Sequence, residues 1–447
     1  MGERTEIIRE MEATALPGQL ELDQETLSRL TKLTSRLMGV TDEAVEEYCR
    51  FQQIQDRLLG FADHRLAHWF GGKTVLVTGG TGCIGSFLLS IIAQHQPSRL
   101  ISVSRGVTPN NRPIPKVEYI HVDVRDQGSL NSLFEHVRPN VVFHLAAQRD
   151  PGLAEREVLR TITTNIFGTR NVVAACESNH VKELVYASTG KAFRLYSKEI
   201  YTTTKIAGEW LVSSASLRGK VLCSAARFTH VANNSLILNK IVEFSSTGPI
   251  RLHAPEIGFF AQSAAESAEL LLCSGIGTSE RMMMNHAIRD LGWPIDLLRM
   301  TLGYLHISRR ISPIYFCGFE PGYEDSGYRG LWDPKVNGDV SPLINAFEAR
   351  TVRPSVCVAV DSFPVIIADA SVAEKDLDEL WLACQDNAQS AIQALDRLAR
   401  GLLDGALGVI PRVHLKRAAS LMSEIPCITH KIIDDRIRCW LDSGRYL

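Results

Sequence analysis

The chain has 447 residues, 45% of them hydrophobic and 22% charged, a length that corresponds to about two to four structural units and can bury a core without covalent staples. Its 48 basic and 50 acidic residues leave a net charge of -2, so no global field captures nucleic acid. Its ten cysteines are scattered without a CxxC pair or zinc-type Cys/His spacing, and no apolar run approaches the ~20 residues that span a bilayer. A disulfide framework, a structural metal and a membrane span are therefore not expected. The first residues carry charge from the third position and no apolar signal core, so the expectation is a cytoplasmic α/β enzyme with reduced thiols.

Residues 1–70 read as a helical extension, either a cap or an oligomerisation arm. Leu22, Leu27, Leu30, Leu33 and Leu37 recur at near-helical spacing, and a second helical segment is expected from Glu43 to about Leu66. From Lys73 the pattern changes. Strands are expected at Thr74–Val77, Leu100–Ser104, Val117–Val122, Asn140–Leu145 and Glu183–Ser188, with helical patterns between them. That alternation predicts a doubly wound parallel sheet. Beyond about residue 230 the pattern loosens. Helices are expected near Ala264–Cys273 and Ile295–Leu302, a loop over 318–339, strand-like runs over 355–370, and one long amphipathic helix over Ala373–Leu403. The run from Gly338 to Asn345 reads as a turn opening a helix, either structural or beside the substrate.

Two stretches carry chemistry. Thr78-Gly79-Gly80-Thr81-Gly82-Cys83-Ile84-Gly85 follows a strand and opens a helix. Gly79, Gly82 and Gly85 respectively serve a tight turn, close approach to a pyrophosphate and helix–sheet packing, while the helix N-terminus supplies N–H donors. Thr81, Cys83 and Ile84 line the same turn. The second strand ends in Ser104-Arg105, not in an acid. That suits a ribose 2′-phosphate, so NADP is expected, with NAD the alternative. Asp123 and Val124 stand where an adenine edge can bind, and Ala146 and Ala147 leave room for the cofactor. Downstream, Tyr201 and Lys205 lie four residues apart on one helix face. A lysine cation beside a phenol favours the phenolate, which can take a hydroxyl proton while hydride leaves to nicotinamide. Ser188 and Thr189 can bond the same sugar hydroxyl. His144 reads as a packed histidine.

Together these residues resemble the extended short-chain dehydrogenase/reductase superfamily, and within it the polysaccharide-biosynthesis branch of the UDP-N-acetylglucosamine 4,6-dehydratase type. The resemblance runs from about Lys73 to about Asp325. It is carried by TGGTGCIG at the glycine turn and by Ser104-Arg105, which is similar to the start of the family's SRDE run. HVDVRD (121–126) resembles its GDVRD. FHLAAQRDPGLAE (143–155) resembles its HAAALKHVPLAE, with Arg149 for Lys and Glu155 retained. Thr164-Asn165 with Gly168 and Asn171-Val172 resembles TNVxGxxNV, and ASTGKA (187–192) resembles STDKA. Ala226-Arg227-Phe228 is similar to the VRFGNV strand, and Cys317 to Gly322 to TGLRPGE. The family's membrane region has no counterpart in this sequence, so a form without it is expected.

The resemblance implies transient oxidation at C4 of a nucleotide sugar by bound NAD(P), then removal of the C5 proton by a lysine matching Lys191. It further implies loss of water from C6, aided by an aspartic acid just before that lysine, and a net redox-neutral outcome. It also implies a homo-oligomer, substrate contacts at Gln148, Arg149, Glu155, Asn165, Arg227 and His230, and no nucleic-acid or membrane partner. Departures cluster on the substrate side. Gly190 replaces the aspartic acid, ten residues separate Lys191 from Tyr201, and His230 and Gly258 replace family Asn and Arg. The expected outcome is therefore 4,6-dehydration with Tyr196 or Glu199 as substitute acid. The alternatives are C5 or C4 epimerisation, net sugar oxidoreduction and a non-catalytic nucleotide binder. The expected organisation is an extension over 1–70, a dehydrogenase core over 71–350 (Rossmann part 71–230, substrate part 231–350) and a strand–helix extension over 351–447.

Overall fold

The computed structural model describes residues 2–61, 64–106, 113–276, 282–323, 338–366, 370–422 and 428–442. Part of the loop expected over 318–339, residues 324–337, lies outside them. The chain divides into two compact units. One comprises Met1–Arg57, His230–Ala264 and Leu291–Glu324; the other comprises Leu58–Thr229, Ala265–Asp290 and Asp325–Leu447.

The second unit is built on a nine-stranded sheet: β1 (Thr74–Thr78), β2 (Arg99–Ser104), β3 (Val117–His121), β4 (Val141–His144), β5 (Glu183–Ala187), β6 (Leu222–Ala226), β7 (Met284–Ile288), β8 (Arg353–Pro354) and β9 (Val360–Pro364). Their spatial order is β8-β9-β7-β6-β5-β4-β1-β2-β3. Strands β3 to β7 along that order pair in parallel, while β9 runs antiparallel to both β7 and β8. Strands β1, β2, β4 and β5 are short, largely apolar runs buried on both faces, which is why their sequences announce them; β3, at the sheet edge, is only partly buried. Strand β7 (MNHAI) has no such signature. Its Asn285 and His286 are buried and bonded inside the unit, so polar letters mark a core strand. The order reverses around β1, whose neighbours are β2 and β4. Ligands of open α/β sheets bind outside the strand ends at such a switch point.

Helix α1 (Cys83–Gln94) follows β1, α2 (Gln127–Val137) follows β3, α3 (Gly168–Ser178) precedes β5, and α4 (Ile200–Arg218) follows it. The single long helix expected over Ala373–Leu403 is two helices, α5 (Ala370–Asp386) and α6 (Ala388–Gly408). Asn387 makes the break. Its backbone is extended and its side chain accepts from Ser390 N–H, a cap that starts a new helix. Ala373, Leu377, Leu380, Ala391, Leu395 and Leu398 of this pair pack on Ile166, Phe167, Ala207, Trp210 and Leu211. The C-terminal residues thereby clamp the outer face of α4, the helix that bears Tyr201. Gly338–Asn345 opens no helix. Turns lead instead to a short 3-10 segment, Glu348–Thr351.

In the first unit, helices Glu3–Thr14, Gln24–Val40 and Ala44–Ile54 share one apolar core with Leu236–Thr247 and Leu297–Ser308. Leu30, Leu33 and Leu37 are all buried there. Helix Ala44–Ile54 passes so close to Leu297–Ser308 that a side chain at Gly303 would strike the Ala44 carbonyl. Two-stranded pairings, such as Ile250–Leu252 with Ile314–Phe316, complete the unit. Among the described residues no helix is long and apolar enough to cross a membrane.

Candidate active site

The glycine turn closes on the sheet through Gly79 N–H, which bonds the Val103 carbonyl at 2.7 Å. Gly79 has φ +73°, and a Cβ there would lie 2.8 Å from Ala146 N, so only glycine fits between β1 and β4. A Cβ on Gly85 would drive into Gly80 and the Gly79 carbonyl. The first turn of α1 has Gly82 as its cap and receives no side-chain acceptor. Its N–H groups and positive dipole end therefore face outward, as a phosphate requires. Thr81, Cys83 and Ile84 are partly buried around it. These features fit a dinucleotide.

At the other end of that crevice, Ser104 is partly buried and Arg105 exposed. Arg105 makes no hydrogen bond or ion pair among the described residues. Its two neighbouring arginines are each matched to an acid: Arg125 to Asp123 at 2.6 Å and Arg160 to Glu157 at 2.8 Å. Burial, then the charge of Arg160, lowers the Arg105 pKa. Asp123 is thus held as a carboxylate, below its usual range, by Arg125 against the opposing effect of burial. Val124 is buried, packs where a Gly168 side chain would stand, and has its carbonyl bonded by Asn171. Ala146 and Ala147 lie partly buried at the end of β4. His144 beneath them bonds Thr78 at 2.7 Å and Thr169 at 3.0 Å, and burial pushes its pKa down to about 3.

The end of β5 brings the expected proton-transfer residues together. Thr189 stands close enough to Tyr201 to act on its hydroxyl, and the charge of Arg149 reaches both Tyr201 and Cys83. Burial nonetheless raises the Tyr201 pKa; Thr189 and Arg149 oppose that rise. Lys205 does not act on the phenol as the sequence led one to expect. Its Nζ donates to the Ala187 carbonyl at 2.6 Å and lies 4.1 Å from the centre of the Tyr186 ring. The ammonium is buried, and the carbonyl and aromatic face are the partners within its reach. Burial takes its pKa down to about 7, with Glu209 pulling the other way. Ser188 donates to Glu209 at 2.5 Å, so Thr189, not Ser188, is the hydroxyl at Tyr201.

Lys191 sits one turn away and pairs with Glu199 at 2.7 Å. The same carboxylate oxygen accepts from Arg194 at 3.2 Å and Thr202 at 2.7 Å. Tyr196, the other substitute acid, is fully buried, and its hydroxyl donates to Asp396 of α6 at 2.5 Å. At Gly190 an added Cβ would lie 2.6 Å from Leu343 Cδ2.

Four of the expected substrate contacts have other partners here. Arg227 is a correction: it is buried, and all five of its N–H donors are consumed. Nε and Nη2 bond Glu209, Nη1 and Nη2 bond Glu348, and Nη1 also bonds the Leu343 carbonyl. No donor is left for a diphosphate, because a second buried acid, Glu348, claims the face that a ligand would use. Asn165 is likewise buried, bonding Gln148 N–H and carbonyl and Thr204. Glu155 accepts from Ile200 N–H and so anchors the start of α4. His230 lies in the first unit, bonded to Ser235 at 2.7 Å and flanked by Phe51 and Phe259. Gln148 and Arg149 remain at the end of β4. The sequence reading missed Glu209, Glu348 and Leu343. Glu209 was findable, since it continues the four-residue step of Tyr201 and Lys205 along α4. Nothing local marks the other two.

This arrangement of sheet, open glycine turn and Tyr–Lys helix defines a short-chain-dehydrogenase-like nucleotide-sugar enzyme fold. The chain belongs to the polysaccharide biosynthesis protein family, whose sequence profile matches residues 75–322. It is 27% identical over 266 residues to the probable polysaccharide biosynthesis protein EpsC of Bacillus subtilis, covering 56% of this chain and 44% of that one. It is 32% identical over 153 residues to an inverting UDP-N-acetylglucosamine 4,6-dehydratase of Campylobacter jejuni, covering 33% and 45%. The X-ray structure of Pen from Bacillus thuringiensis superposes with a TM-score of 0.53 at 22% identity, covering 66% of this chain and 88% of that one, and so shares the fold. The chain spans about half the length of the curated relatives it matches.

Proposed function

We propose that the protein modifies a nucleotide sugar, an NDP-hexose or NDP-N-acetylhexosamine, by transient oxidation at C4 with NADP as cofactor and NAD as the alternative. The observation that carries this reading is the placing of Tyr201 beside Thr189 at the end of β5, where Thr189 and the charge of Arg149 both oppose the upward push of burial on the phenol. Tyr201 takes the C4 hydroxyl proton and Thr189 holds the sugar oxygen. Lys205 stands at the foot of the site, its pKa taken down to about 7 by burial and held from falling further by the charge of Glu209. Gly79, Gly82 and Gly85 admit the pyrophosphate against the start of α1, and Ser104 and Arg105 receive the 2′-phosphate. Asp123 and Val124 flank the adenine. When bound, the nicotinamide accepts hydride from the sugar and later returns it, so the net reaction is redox-neutral.

The C4 ketone acidifies the C5 proton, which Lys191 removes. Two outcomes branch from that point. Loss of the C6 oxygen gives 4,6-dehydration and needs an acid; Glu199 is the carboxyl in contact with Lys191. Retention of the oxygen gives C5 or C4 epimerisation, a reading supported by Gly190, which carries no carboxyl. The test is incubation with UDP-glucose and UDP-N-acetylglucosamine in deuterated water. The expected result is a new product carrying deuterium at C5, and neither product nor label with Tyr201→Phe. No turnover of either sugar, or equal turnover by Tyr201→Phe, would sink the reading.

A further inference from the structure

We infer that Leu343 fixes the outcome of the reaction: it occupies the space in which an acid beside Lys191 would stand, and the sugar keeps its C6 oxygen. The inference rests on the C4-oxidation reading above. Leu343 is fully buried, and a Cβ at position 190 would meet its Cδ2 at 2.6 Å and its Cδ1 and Cγ at 3.3 Å. Terminal methyls can usually swing aside, but this side chain is fully buried and the backbone that carries it is fixed. Its carbonyl accepts from Arg227 at 3.2 Å and its N–H bonds Ser341 Oγ at 3.3 Å. Ser341 N–H in turn bonds Asp361 of β9 at 2.8 Å. Asn345 bonds the Phe193 carbonyl at 2.9 Å, and Glu348 pairs with Arg227 at 2.8 Å. Residues 341–348 are therefore pinned to β9, to Arg227 at the end of β6 and to the segment that follows Lys191. A carboxylate at 190 fits only if this plug withdraws.

The chemistry turns on one proton. After Lys191 takes the C5 proton, the electron pair left at C5 forms the C5–C6 double bond only if the C6–O bond breaks. The departing oxygen leaves as water only if an acid protonates it. Each nearby candidate is committed elsewhere. Thr189 stands beside Tyr201, the Tyr196 hydroxyl donates to Asp396, and Glu199 accepts from Arg194 and Thr202 and, once the neutral Lys191 amine has taken the C5 proton, from the resulting ammonium as well. A carboxylate in that setting is an acceptor with no proton to give. The proton then returns to C5, the hydride taken from C4 returns to C4, and the C6–O bond stays, which makes the reaction an isomerisation.

The test compares wild type, Leu343→Ala, Gly190→Asp and the double variant Gly190→Asp/Leu343→Ala, with UDP-glucose and UDP-N-acetylglucosamine and product masses read directly. Wild type should yield product isobaric with substrate. The double variant should raise the fraction lighter by one water by about tenfold or more, and Gly190→Asp alone should not. The packing premise has its own readout. Gly190→Ala should lower the thermal midpoint by about 4 °C or more in wild type and by about 1 °C or less on the Leu343→Ala background. A wild type that oxidises C4 and releases the dehydrated sugar overturns this inference alone. So does a double variant with unchanged partition, or equal losses from Gly190→Ala in both backgrounds. A wild type inert on both sugars overturns the C4-oxidation reading, and this inference falls with it.

Discussion

The two ends of the candidate site in the second unit are made differently. The glycine-turn end takes its shape from neighbours in sequence: β1, four residues of turn and the first turn of α1. The Lys191 end takes its shape from afar. Glu209 comes from α4, Asp396 from α6, and Leu343 and Glu348 from a segment about 150 residues beyond the lysine. The first end is a rule of backbone sterics that any chain with those glycines obeys. The second is a set of buried charges and fillers whose partners can be exchanged without altering a local motif. That difference explains why the glycine-turn half is easy to recognise in the sequence and the Lys191 half is not.

Substitutions sharpen the contrast. Tyr201→Phe should lower sugar turnover by about 10^3-fold or more while leaving the thermal midpoint near wild type, since only a phenolic oxygen is lost. Steady-state kinetics beside a thermal melt decides it, and a fall in both together would make Tyr201 structural. Arg227→Met should cost about 3–4 kcal/mol in urea unfolding, because it strands Glu209 and Glu348 in the core. A neutral result would mean that the pair is not buried as described.

Acid pH should probe both ends at once. Burial takes His144, at the glycine-turn end, to about 3 and His286, on β7, to about 4. Both lie below the ordinary histidine value, so between about pH 6.5 and 4 the unfolded chain binds protons that the native chain refuses. Stability should therefore fall as pH drops through that window, by about 2 kcal/mol per histidine between pH 7 and 5. Above pH 6.5 neither group should contribute a slope. Replacing His286 with Asn should flatten the acid limb in paired urea melts. An unchanged slope would assign the loss to other groups. The smallest effect expected is at the ribose. Arg105→Ala should weaken NADP by about tenfold and leave NAD unchanged in titration calorimetry. Equal losses for both would remove Arg105 from cofactor choice.

Much of this was legible in the chain. Buried runs such as TVLVT and LISVS cannot be solvated strands, and the YxxxK spacing fixes a shared helix face. The split between α5 and α6 was also in principle readable from Asn387, a capping residue inside a continuous apolar pattern. Strand β7 was hidden because the Asn285 amide donates to Glu209 and the His286 ring meets the Ala225 carbonyl, residues far away in sequence. Arg227 looked like a ligand contact for the same reason: a lone arginine at a strand end gives no hint that Glu348 will use its donors.

By itself the sequence determined the parallel sheet, the glycine turn and the Tyr201–Lys205 helix. Each rests on local sterics and periodicity, which act over a few residues. Only the tertiary structure decided that Thr189 rather than Lys205 acts on the Tyr201 hydroxyl, that the N-terminal helices share a core with residues 232–261 and 295–317, and that Leu343 stands over Gly190. Those outcomes depend on which buried group reaches a partner first across long stretches of chain. Desolvation sets that competition, and no spacing in the sequence records it.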